Sequence, residues 1–221
     1  MPQAYINYYL MSLKELEALP KDPKPRLLLH ACCGPCSTFP LTFLCPHFDV
    51  TIYYNNSNIY PEAEYLRRLE ELKKFLGYFE RDYGFSVKLI VPPYDNAKYN
   101  ETLAPYALCK EGGERCIICY TKRMGEAYDY AESNGYDYFT TVMTISRQKN
   151  SEILNGIGKQ LSASHTKTKY FYSDFKKAKG IDQAREMRIR YGLYNQLYCG
   201  CKYSYATSLA KPDSKNQNWK G

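Results

Sequence analysis

The chain has 221 residues, within the range of a single α/β domain with a substantial core, and its 30 Lys and Arg against 23 Asp and Glu leave a formal net charge of +7. No stretch reaches the roughly 18 consecutive apolar residues of a membrane span, and the start, MPQAYINYYLMSLKELEALP, lacks the basic and apolar regions of a secretory leader, so a cytoplasmic protein without a membrane partner is expected. Nine cysteines, an odd number, suit a paired disulfide scaffold badly and in a reducing compartment point to metal binding or thiol chemistry.

Residues 1–24 read as an N-terminal extension, 25–208 as one α/β catalytic domain and 209–221 as a polar C-terminal tail. RLLLH, Arg26 to His30, reads as the first strand and is followed by the loop HACCGPC and a short helix carrying FPLTFL. FDVTIYY, Phe48 to Tyr54, is a second strand that runs into the polar loop NNSNIY. Pro61 then opens a long helix with acids early and Gly84 at its end. SVKLIV, Ser86 to Val91, is a third strand stopped by two prolines. After a Tyr-rich loop and a Gly-Gly break at Gly112 and Gly113, a helix carries CIIC and continues to Asn134. YFTTVM, Tyr138 to Met143, is a fourth strand, Ser151 to His165 is helical, and KYFY, Lys169 to Tyr172, is a fifth strand. Strands separated by helices imply right-handed crossovers, hence a mainly parallel sheet of about five strands with helices on both faces.

Seven of the cysteines fall into three tight groups: Cys32, Cys33 and Cys36; Cys116 and Cys119; Cys199 and Cys201. The first group sits in the loop after the first strand, at the carboxyl edge where doubly wound sheets bind ligands. That loop offers thiols in place of a glycine-rich phosphate cradle, and with no GxGxxG or GxxxxGK[ST] anywhere, dinucleotide or ATP binding is unsupported. CIIC opens a helix whose N–H groups and dipole are expected to favour thiolate. Cys32, Cys33, Cys116 and Cys119 form a four-thiolate set that suits tetrahedral zinc or a [4Fe-4S] cluster. Divergence of the adjacent Cys32 and Cys33 favours the wider cluster. The CGC pair closes only into a strained, labile ring if oxidised, which suggests electron delivery, a further ligand pair being the alternative. Cys45 reads as a buried structural thiol, Cys109 is undecided, and His30 reads as packed at the strand end.

Eight Lys and Arg against three Asp and Glu between Lys167 and Arg190 favour a polyanionic partner, and 24 tyrosines add capacity to stack on bases. The plain alternatives are a solvated helix face and tyrosines packed with their hydroxyls at the surface.

HACCGPC after a strand, YNNSNIYPEAEYLRR, GERCIICY, TTVMTISRQKN, DFKK and YCGC stand in one order over roughly Pro25 to Ser204. Together they resemble the cobalamin-independent epoxyqueuosine reductases of the QueH type, and the expected fold is Rossmann-like, of the nucleotide alpha-hydrolase-like kind. The resemblance implies an oxidoreductase that removes the epoxide oxygen of epoxyqueuosine at wobble position 34 of tRNAs with GUN anticodons, the Asp, Asn, His and Tyr isoacceptors. It also implies a [4Fe-4S] cluster, no cobalamin and an external electron donor. The pattern departs at Ser146, Arg147, Gln148 and Lys149, where relatives often read Ser-Pro-x-Lys, and at Cys36, where some carry Asp. An anionic ligand is therefore implied at position 36, with an adjacent mononuclear iron. On this reading Cys32, Cys33, Cys116 and Cys119 hold the cluster, Cys36 binds or polarises the epoxide oxygen, and Cys199 and Cys201 pass electrons in. Asn58, Glu64, Arg67, Arg115 and Tyr198 are the expected substrate-placing residues, a structural role competing for each, with Glu64 and Arg67 reading equally as an exposed (i, i+3) pair. Two other functions fit parts of the pattern: an iron-sulfur tRNA sulfur-transfer enzyme, which would want an ATP loop, and a noncatalytic zinc-stabilised RNA-binding module.

Overall fold

The computed structural model describes residues 6–210. Its frame is the strand Arg26–His30 (β1), which matches the expected span. Leu27 and Leu29 point into one core and Leu28 into the other, all three fully excluded from water. A parallel strand covered on both faces reads as a continuous apolar run, and each leucine so buried contributes about 1.5–3 kcal/mol. The other strands are β2 (Asp49–Tyr53), β3 (Lys88–Ile90), β4 (Tyr138–Thr141) and β5 (Lys169–Tyr170). All pair in parallel in the order β3-β2-β1-β4-β5. The chain fills one side of β1 before crossing to the other, so the crevice at the carboxyl ends of β1 and β4 is the topological switch point where such sheets place ligands.

The helices are α1 (Tyr8–Glu17), α2 (Gly34–Leu44), α3 (Glu62–Tyr83), α4 (Asn96–Leu103), α5 (Glu114–Ser133), α6 (Ser151–Ser162), α7 (Gly180–Arg190) and α8 (Lys202–Leu209). Residues of α1, α2, α3 and α7 share one core and residues of α5 and α6 the other, so the sheet is covered on both faces. In α3 the buried positions Tyr65, Arg68, Leu69, Leu72, Phe75 and Phe79 recur at helical spacing, and Gly84 ends the helix in a left-handed conformation, φ 73°. Gly34 brings α2 against α3: a Cβ there would stand 2.9 Å from the Glu71 carbonyl oxygen. A smaller cluster of Tyr99, Leu103 and Cys119, with Tyr203 against it, ties α4, α5 and α8 together.

The expected strands after β1 are all observed but shorter. YFTTVM stops being strand at Thr141, whose hydroxyl accepts from the Met143 N–H and turns Val142–Ile145 into a 3-10 helix. Helices α1, α4, α7 and α8 were not among the expected elements. The N-terminal segment is joined to the sheet by α1, where Glu15 Oε1 accepts from the Tyr138 hydroxyl at 2.6 Å and pairs with Lys169 Nζ at 2.6 Å. Beyond residue 210 the expected polar tail lies outside the described residues. No helix among the described residues is long and apolar enough to cross a membrane.

Candidate metal centre

Turning directly out of β1, Cys33 takes the N-cap position of α2 and Cys36 falls in that helix's first turn. This folds the first cysteine group back on itself. The sulfurs of Cys32, Cys33 and Cys36 all lie within 4.8 Å of one another, and Cys32 Sγ and Cys33 Sγ are 3.9 Å apart. The expected divergence of Cys32 from Cys33 is therefore absent, because the turn into α2 points both side chains to one side. Cys36, expected apart from the four cluster thiolates as the ligand of an adjacent iron, is the third member of the triad. Hydrogen bonds from Cys33 and Cys36 hold the Cys32 thiol well below the usual range, with Lys149 and Arg123 assisting against burial. Cys33 is raised well above that range and Cys36 is pushed up to about 12, each chiefly by its hydrogen bond with Cys32.

CIIC lies in the first two turns of α5, with the Gly112 N–H donating to Cys116 Sγ at 3.3 Å. The thiolate expected at that helix start is not favoured here, because burial outweighs it. Burial raises Cys116 and pushes Cys119 up to about 11, the Arg123 charge and the Tyr99 hydroxyl opposing at Cys119. Both thiols stand outside the tight triad but feel Cys199 and Cys201, and all nine cysteines are free.

Two cations connect the groups. Arg123, 2% exposed, donates to Asn56 Oδ1 at 2.5 Å and to the Asn55 carbonyl at 3.4 Å, and its charge acts on Cys119, Cys32 and Cys199. Burial alone would depress the Lys149 ammonium, yet the facing Cys199 and Cys32, with Tyr120 and Cys36, hold it above the usual lysine range. His30 is fully buried against Thr141 Oγ1 at 2.9 Å, as expected of a strand-end residue, and its Nε2 has no partner among the described residues.

The CGC turn is held from α3. Arg68, 1% exposed, pairs with Glu64 at 2.7 Å and donates to the Cys199 carbonyl at 3.1 Å and the Tyr198 carbonyl at 3.0 Å. The Tyr60 N–H donates to the Gly200 carbonyl at 2.7 Å. Gly200 has φ 133°, and a Cβ there would stand 3.2 Å from both Arg68 Nη1 and Ile59 Cγ1, so the tight turn requires glycine.

The five expected substrate-placing residues are therefore distributed as follows. Glu64 is buried and pairs with Arg68 in an (i, i+4) arrangement, not with Arg67 as an exposed (i, i+3) pair. Arg67 is exposed, its guanidinium over the Tyr194 ring at 3.5 Å. Asn58 lies buried beneath the CGC turn with Oδ1 unpartnered among the described residues. Arg115 Nη1 donates to the carbonyls of Tyr106, Ala107 and Cys109, fixing the loop before α5, and Tyr198 donates to the Tyr60 carbonyl. Sequence reasoning missed Arg68, Arg123, Lys149 and Gln196. Arg68 had a signal, since it shares the helical stripe of Tyr65 and Leu72 whereas Arg67 falls outside it.

The sequence profile described as Epoxyqueuosine reductase QueH matches residues 27–207. The chain belongs to the epoxyqueuosine reductase QueH family. It is similar to the Epoxyqueuosine reductase QueH of Staphylococcus aureus, 40% identical over 183 residues that cover 82% of this chain and 76% of the relative. The QueH of Streptococcus pyogenes is 36% identical over 204 residues, 92% of this chain and 80% of the relative. That of Thermotoga maritima is 28% identical over 181 residues, 80% and 89%. Every cysteine of the three groups lies inside the span matched to the QueH family. Membership together with the thiol triad points to a metal cofactor, since three sulfurs converge where no disulfide forms.

Proposed function

We propose that the chain reduces the epoxide of epoxyqueuosine at position 34 of GUN-anticodon tRNAs to the alkene of queuosine. The observation that carries this reading is the Cys32, Cys33 and Cys36 triad at the switch point of the sheet, in a chain of this family. The donor set suits a metal centre on its chemistry, being soft sulfur flanked by the buried Arg123 and the half-buried Lys149, which offset the charge of several thiolates. Cys32, Cys33, Cys116 and Cys119 would hold a [4Fe-4S] cluster, and Cys36 an adjacent iron. When bound, these supply single-electron transfer and a Lewis acid for the epoxide oxygen.

The chain's own residues do the rest. Cys199 and Cys201, closing from dithiol to disulfide, release two electrons and two protons. With these the epoxide oxygen leaves as water and a carbon–carbon double bond remains; an external donor then reopens the disulfide. Arg68, anchored by Glu64, keeps the CGC turn where its thiols act on Cys116 and Cys119. Asn58 and Tyr198 shape the underside and flank of that turn, Arg115 the loop before α5, and Arg67 offers an exposed guanidinium to RNA. Metal analysis of anaerobically purified protein tests the reading: four or more irons per chain with broad visible absorbance are expected, and stoichiometric zinc without iron overturns it in favour of an RNA-binding module.

A further inference from the structure

A groove of about 420 Å³ opens beside the triad. Half-buried Cys36 and Gln196 form part of its lining, and Arg147, Arg185 and Arg188 supply its charge. Arg185 and Arg188 stand one turn apart on α7, whereas Arg147 comes from the loop after β4. Among the described residues none of these three guanidinium groups has a carboxylate or hydrogen-bond partner. Neighbouring cations are differently placed. Arg190 pairs with Asp82, and Lys176, inside the basic run, pairs with Asp174 at 3.4 Å and donates to the Thr144 carbonyl and to Ser151 Oγ, bracing the loop. Positive charge is thus left uncommitted on this groove.

Gln196 points to what the groove receives. Its Nε2 donates to Cys33 Sγ at 3.3 Å and Cys36 Sγ at 3.7 Å, while its Oε1 is buried with no partner among the described residues. An unsatisfied buried acceptor is unfavourable, so an amide oxygen stands ready for a donor brought in from outside, next to the sulfurs. The volume is that of a small-ligand pocket, enough for one nucleoside turned out of a loop and too small for a duplex. The apolar flank of Ile181 on α7 offers such a ring a surface.

We propose that this groove seats the anticodon strand, with Arg147, Arg185 and Arg188 on the phosphodiesters flanking the modified nucleoside and Gln196 Oε1 accepting an N–H or O–H of that nucleoside, so that its reacting ring meets Cys36. The inference rests on the functional reading above and adds where and by which residues the RNA is held.

The test uses metal-loaded, anaerobically purified protein and an anticodon stem-loop RNA, with and without epoxyqueuosine. The Arg185→Gln, Arg188→Gln double variant should keep wild-type iron content and visible spectrum, bind RNA about tenfold or more weakly at moderate salt, and lower the slope of log affinity against log salt by about 2. Arg147→Gln, on a separate element, should lower that slope by about 1 and gives an independent reading if the double variant is damaged. Gln196→Leu should keep the wild-type salt slope and lose the preference for modified over unmodified RNA. Wild-type affinity and slope in the arginine variants, beside a wild-type enzyme that reduces the substrate, would overturn the groove. Binding that depends on these arginines in a wild type that reduces nothing would support the groove and overturn the functional reading. Tight binding of a free mononucleotide to the groove, undiminished by removing the rest of the loop, would also overturn it.

Discussion

Replacing Cys33 by serine changes one atom in a group where each sulfur lies within 4.8 Å of two others. A serine oxygen is a poor ligand for a soft metal, so Cys33→Ser and Cys116→Ser are each expected to lose visible absorbance, iron and activity together. Full iron and an unchanged spectrum in either variant would remove that residue from the ligand set. At the same scale, Arg68 carries a different burden. It is almost fully buried and holds Glu64 and two backbone carbonyls at once, so Arg68→Met leaves the buried Glu64 carboxylate without a counter-charge, with only the Tyr194 hydroxyl donating to it. We expect a loss of about 3–5 kcal/mol, read from the midpoint and slope of urea unfolding; a change below about 1 kcal/mol would show that Glu64 and the CGC turn do not depend on it. The thiols were legible in the sequence because reactive cysteines announce themselves by type and spacing. Arg68, Arg123 and Lys149 were not, since a charged residue in a chain of 30 Lys and Arg gains its meaning only when tertiary packing brings it near sulfur.

At the scale of elements, the CGC turn is the most sharply specified piece, needing glycine at φ 133° between two cysteines and an arginine from α3 beneath it. If Cys199 and Cys201 relay electrons, Cys199→Ser and Cys201→Ser should retain iron and spectrum but lose multiple turnover, while a centre reduced beforehand still completes one round. Iron per chain beside steady-state conversion decides it: lost iron makes the pair ligands, and undiminished turnover makes it dispensable. The legibility of elements followed their signals. β1 was readable to the residue because both its faces are apolar, and α3 because it has acids at its start, an apolar stripe and Gly84 at its end. Helices α4 and α8 are only 8 residues each, and Tyr99 and Tyr203 pack against Cys119, so they form by docking on α5, which local pattern does not reveal. α7 was hidden by its charge, which reads as a basic run before it reads as a helix.

For the whole molecule, the N-terminal helix closes the sheet through Glu15. Burial pulls the Glu15 carboxyl up, but hydrogen bonds from Lys169 and Tyr138 outweigh it and leave the group below its ordinary value. A carboxyl held low in the folded state takes up its proton first when unfolded. Its contribution to stability is therefore complete above the ordinary glutamate value of about 4.5, and is lost as pH falls through the lowered folded value. Lys169→Met should make stability less steep on the acid side, measured as urea midpoint from pH 6 to pH 3; an unchanged acid limb would show that the contact adds nothing.

The pin between Arg68 and the CGC turn joins positions 130 and 131 residues apart in the chain. Five of the seven clustered cysteines are already in place once α5 has packed on β1, but the remaining pair and Gln196 arrive only after all five strands have been threaded. The order of synthesis thus becomes a safeguard. A half-made chain can gather sulfur but lacks Cys199, Cys201 and Gln196, so if the CGC pair relays electrons as proposed, the molecule becomes able to do so only as its last described helix settles onto a finished sheet.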